Sequence, residues 1–127
     1  MSATGGSSGN PQPIDPASLA NLKEIGGGDA SFVVELIAMF GEDSPPRLEA
    51  IAAALAVADT GEVAKNAHSL KGTGANFGAD KFRSLAQAIE TAGKTGDLGS
   101  VPALLEELKA EFVRVKEALD AAVAAGI

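Results

Sequence analysis

Apolar residues in this chain recur every three or four positions, segment after segment, and no stretch alternates apolar and polar residues over strand length. Spacing of that kind lays the apolar side chains along one stripe of a helix, and the stripe must be covered by other helices. Leu104, Leu105, Leu108, Phe112, Val115 and Leu119 form the clearest example. Glycines divide the chain between stripes, notably Gly26-Gly27-Gly28, Gly78, Gly93 and Gly96; glycine inside a helix is about 1 kcal/mol worse than Ala. The class is therefore all-α. Amphipathic helices joined by short loops favour an antiparallel up-and-down four-helix bundle, here with an additional short N-terminal helix.

Local signals place the boundaries. Asp15 as cap and Pro16 at the first helical position open a short helix that runs to about Ile25. Asp29 caps a segment in which Phe32, Leu36, Met39 and Phe40, then Leu48, Ile51 and Leu55, fall at helical spacing. Pro45-Pro46 interrupts it by removing backbone donors, which predicts one long helix kinked near Pro45 or two nearly in line. Asp59-Thr60-Gly61-Glu62 reads as the start of a third main segment ending near Phe77, with Gly78 as a left-handed stop. A further helix is expected from about Ala79 to Ala92, ended by Gly93, and Ser100 is placed to cap the last one. Residues 1–13, rich in Gly, Ser, Pro and Thr, read as a disordered tail, leaving 14–125 as one domain.

At 127 residues there is room for a single core. With no cysteine and one histidine, neither disulfides nor a structural zinc site is expected, and no metal or cofactor of its own. A net charge of −7 disfavours nucleic acid and anionic membrane as partners. No apolar run reaches the ~20 residues of a membrane span, and no basic region precedes an apolar core at the N-terminus. The expected location is the cytoplasm. Gly93-Lys94-Thr95 resembles the end of a phosphate-binding loop, but the required earlier glycine is Ala88 and the segment ends a helix rather than opening one. Glu106, Glu107 and Glu111 read as a solvated face.

The single histidine lies in the third main segment. Val63, Ala67, Leu70, Gly74 and Phe77 are spaced four, three, four and three apart and form its core stripe. His68 sits one residue off that stripe, about 100° round the helix, and shares a face with Ala64, Lys71, Gly72 and Ala75. One nucleophile and one cation thus stand among three residues with almost no side chain, so the imidazole can project and another protein can approach the backbone. Neutral imidazole is a good nucleophile near pH 7, and an ammonium one turn on can neutralise phosphoryl oxygens without proton transfer. If this segment and the next form a hairpin about Gly78, Glu90 comes near His68 and can fix the ring tautomer.

The run Ala67-His68-Ser69-Leu70-Lys71-Gly72, followed by Ala75-Asn76-Phe77-Gly78-Ala79, resembles the signature of histidine phosphotransfer (HPt) domains. The likeness extends upstream through Phe40 to Leu48, downstream through Leu85 to Glu90 and Gly96-Asp97-Leu98, and covers roughly Leu19 to Ala122. The resemblance implies phosphorylation of His68 on Nε2, steadying of the phosphoryl group by Lys71, and docking of a partner over Gly72, Ala64 and Ala75. It also puts Glu90 where the family often has Gln or Glu against the other ring nitrogen, and Lys94 where a basic residue is sometimes found. Gly74 within the helix and Phe77 in place of an aliphatic residue depart mildly from the pattern.

The expected function is a phosphorelay carrier that moves a phosphoryl group between receiver-domain aspartates. Its partners would be response-regulator receiver domains, which supply Mg2+, and a hybrid histidine kinase; a monomer suffices. No nucleotide-binding motif is present, so phosphorylation of itself from ATP is not expected. The alternative is a module that sequesters or inhibits a receiver or kinase without carrying phosphate.

Overall fold

Three aspartates start three of the helices. Asp15 accepts a hydrogen bond from the Ala17 amide, Asp29 from Ser31 and Asp59 from Glu62, each cap stabilising its helix by about 1 kcal/mol. The computed structural model describes residues 12–127, so the tail expected for 1–13 lies outside the described residues except for Gln12 and Pro13. Five helices follow: α1 (Pro16–Ile25), α2 (Ala30–Ala56), α3 (Thr60–Asn76), α4 (Asp80–Thr95) and α5 (Val101–Ala124). No strand occurs among the described residues.

Helices α2 to α5 pack in a closed ring, each against its neighbour in the chain and α5 back against α2. Each contributes a phenylalanine to the centre. Phe40 of α2 meets Phe77 at the end of α3, Phe82 of α4 and Phe112 of α5, with ring centroids 5.5, 5.4 and 5.2 Å away. The Phe77 and Phe82 contacts are edge-on, the arrangement favoured by the ring quadrupoles. Helix α1 lies against α2. The Asp15 amide donates to the Phe77 carbonyl at 3.0 Å, fastening the start of α1 to the α3–α4 turn. Gly78 in that turn has φ +63°, the left-handed stop read from the sequence.

Of the two alternatives for the stretch around Pro45, the single long helix holds: α2 is one element of 27 residues that runs through Pro45 and Pro46; both prolines are exposed, where solvent can take the place of their missing donors. Other sequence expectations need correction. The buried stripe of α2 is Val33, Ile37, Phe40, Ser44, Leu48, Ile51 and Ala54, whereas Phe32 and Met39 are exposed and Leu36 and Leu55 only half-buried. Helix α4 continues past Ala92 to Thr95, with Gly93 inside it, and Gly96 at φ +83° ends it. Ser100 precedes α5 but its side chain makes no capping bond. Glu106 is exposed as expected, but the Glu111 side chain is 2% exposed, paired with Arg114 at 2.8 Å.

Candidate functional site

The site stands on the α3–α4 pair, and glycines set its spacing. A Cβ on Gly93 would lie 2.8 Å from the Ala64 nitrogen and 3.0 Å from the Thr60 carbonyl oxygen, so the two backbones touch there. A Cβ on Gly74 would lie 2.5 Å from Cδ1 of Phe82, a close approach at the other end of the pair. The antiparallel register therefore pairs 64 with 93 and 74 with 82. Between these contacts it sets His68 opposite Glu90, and Lys71 opposite Gln87.

The α3 core stripe is buried, which turns His68 outward. Its side chain is 67% exposed, while that of Glu90 is 2% exposed. His68 Nδ1 lies 2.9 Å from Glu90 Oε2. Lys71 Nζ is 2.7 Å from Oε1 of the same carboxylate, an ion pair outside hydrogen-bonding angles, and Lys94 Nζ is 3.0 Å from Oε2. One buried anion is thus met from three sides. The Lys71 ammonium holds the Glu90 carboxyl down at about 2, against an ordinary 4.5; Lys94 and the imidazole add to this, and burial opposes it without prevailing.

That charge state fixes the ring. An ionised carboxylate only accepts hydrogen bonds, so Nδ1 must carry a proton, and in the neutral ring this tautomer puts the lone pair on Nε2, on the far, exposed side of the imidazole. A nucleophilic nitrogen faces solvent, and two ammonium groups flank the carboxylate behind it. Such a cluster is suited to an anion. Ala64, His68, Glu90 and Lys94 border a shallow open depression of about 410 Å³.

The remaining residues singled out from the sequence fall on or beside this face. Gly72 and Ala75 are exposed, and a Cβ on Gly72 would meet nothing within 4 Å. Ala64 is half-buried because it packs on Gly93, so it serves the helix crossing as well as the rim of the depression. Lys71 is engaged by α4 and does not stand free beside the imidazole. Its ammonium donates to Oε1 of Gln87 at 3.1 Å, and Gln87 Nε2 donates to the Thr91 hydroxyl at 3.1 Å. Gln87 escaped the sequence reading, although its place one turn before Glu90 on the same face of α4 was a usable signal. Buried Asn66 was missed as well; its amide donates to the Glu62 carbonyl at 2.9 Å and accepts from Arg47 at 3.5 Å, linking α3 to α2.

Among the described residues no helix is long and apolar enough to cross a membrane. The Hpt domain family matches residues 35–125. Among solved structures, the chain is similar to histidine-containing phosphotransfer protein B (HptB) from Pseudomonas aeruginosa PAO1. The TM-score is 0.78 and the identity 31%, over 87% of this chain and 94% of that one. No curated protein matches the chain.

Proposed function

The chain belongs to the Hpt domain family, and from that membership we propose that it relays a phosphoryl group between receiver-domain aspartates on Nε2 of His68. The observation that carries this reading is the ionised, buried Glu90 against Nδ1, which leaves the opposite nitrogen of an exposed ring as the nucleophile.

The step needs no proton transfer at His68. The Nε2 lone pair forms a P–N bond as the P–O bond of an aspartyl phosphate breaks, and the electron pair of that bond leaves on the aspartate as carboxylate. The ring gains a positive charge with Nδ1–H unchanged, and Glu90 sits ready to balance it. Onward transfer reverses these events, with neutral imidazole as the leaving group. The charges of the site fit the cargo. At rest, Lys71 and Lys94 outweigh Glu90 by one positive charge; an imidazolium carrying a doubly ionised phosphoryl group adds one negative charge and brings the cluster to neutrality. The metal ion for the transfer belongs to the receiver. Gly72 and Ala75 leave room for that receiver on the same face, in a contact of modest area that releases readily.

The test is to mix the chain with a phosphorylated receiver domain and map phosphate by mass spectrometry under conditions that preserve phosphohistidine. Phosphate on His68, lost in His68→Gln, is expected. A His68→Gln variant that still drains phosphate from the receiver and passes it on would overturn the proposal.

A further inference from the structure

We propose that Gln87 is a positioning residue that holds the Lys71 ammonium on the α4 side of His68, away from Nε2, until a phosphoryl group draws it across. This rests on the carrier reading of His68. The register sets Gln87 level with Lys71 and Glu90 level with His68. The Lys71 ammonium donates to Gln87 Oε1 at its own level, at 3.1 Å, and reaches back to form an ion pair with Glu90 Oε1 at 2.7 Å, on the α4 side of the ring. Nε2 faces the opposite way, because Nδ1 faces Glu90.

The Gln87 amide is oriented by a partner at each end. An ammonium only donates, so Oε1 must face Lys71, and this leaves Nε2 of the amide for the Thr91 hydroxyl that it reaches at 3.1 Å. Phosphoryl oxygens on His68 and the carbonyl of Gln87 thus compete for one cation. Gln87 raises the free energy of the loaded state relative to the resting one and keeps the phosphohistidine ready to leave. Lys94, held only by Glu90 from the same helix, has no such second anchor on α4.

The experiment loads the whole chain with phosphoramidate, a small donor that needs no partner protein. Its P–N bond breaks, ammonia leaves with the electron pair, and a P–N bond forms at Nε2 of His68. Phosphorus NMR follows loading, and decay after the donor is removed. Gln87→Met keeps side-chain length and loses the carbonyl; it should raise the ratio of loading to decay rate constants roughly fivefold, the scale of one net hydrogen bond. Gln87→Glu, which grips Lys71 with a full charge, should lower that ratio. In a Lys71→Ala background, Gln87→Met should change nothing further. The Lys71 ammonium signal in nitrogen-15 NMR should broaden in Gln87→Met while the melting temperature stays put.

A Gln87→Met ratio equal to or below that of the parent overturns the inference, as does a gain that survives in Lys71→Ala. Either result leaves the carrier reading intact, provided the parent chain loads on His68. A parent that takes phosphate from neither phosphoramidate nor a receiver overturns both.

Discussion

Replacing Glu90 by Gln keeps the shape of the side chain and removes its charge. In the folded protein this carboxyl is held at about 2 against an ordinary 4.5. A carboxyl depressed by folding stabilises the fold above its unfolded value, and that stability is lost as pH falls through the folded value. The gap between 4.5 and about 2, at 1.36 kcal/mol per pH unit, corresponds to about 3 kcal/mol at pH 7. At pH 3 the folded carboxyl is still mostly ionised while the unfolded one is protonated, and about 1 kcal/mol remains. Urea unfolding of the parent and of Glu90→Gln at matched salt between pH 7 and pH 3 measures this directly. Every other carboxylate is shared by the two proteins and cancels in the difference. That difference should stay flat down to about pH 5 and then shrink by about 2 kcal/mol by pH 3. A difference that does not change with pH, or a variant as stable as the parent at pH 7, would refute the claim that two ammonium groups and an imidazole N–H hold this carboxylate ionised.

Other substitutions test the scaffold and the face. Gly72→Gln enters open space, so it should leave stability unchanged or raise it by up to about 1 kcal/mol through helix propensity. The same change should slow transfer from a phosphorylated receiver by about tenfold or more while phosphoramidate loading stays normal, which stopped-flow and phosphorus NMR would separate. Gly93→Ala drives a methyl into the Ala64 and Thr60 backbone and should destabilise the bundle by about 2 kcal/mol, read as a lower urea midpoint. Phe40→Ala removes the ring that three others touch and should cost about 3–5 kcal/mol in thermal unfolding.

The site was largely legible before any coordinates, because its residues sit on regular helices. The stripe from Val63 to Phe77 is buried as its spacing requires, and that alone turns His68 outward. Counting outward from the Gly78 turn was enough to bring Glu90 to the imidazole. Spacing failed where a helix is apolar on more than one side. In α2 the rows Phe32-Leu36-Met39 and Val33-Ile37-Phe40 lie side by side, and only the position of the neighbouring helices decides which is covered. Gly93 looked like a terminator because glycine disfavours helix interiors; its reason for being there is the touching backbone of α3, which a single sequence does not display. Glu111 was read as solvated because carboxylates usually are, and the Arg114 that pairs with it is one turn on. The bond from Lys71 to Gln87 was not legible, because it depends on which side chains of α4 reach across the groove.

His68 is the only imidazole in the chain, and it occupies one exposed face whose neighbours Gly72 and Ala75 offer nothing to grip selectively. Two proteins that both need that ring cannot sit on it together. Visits must alternate, so traffic through this chain would be governed by how long each guest stays and how many of each are present. A rival that merely covers the face would halt the exchange without touching the chemistry.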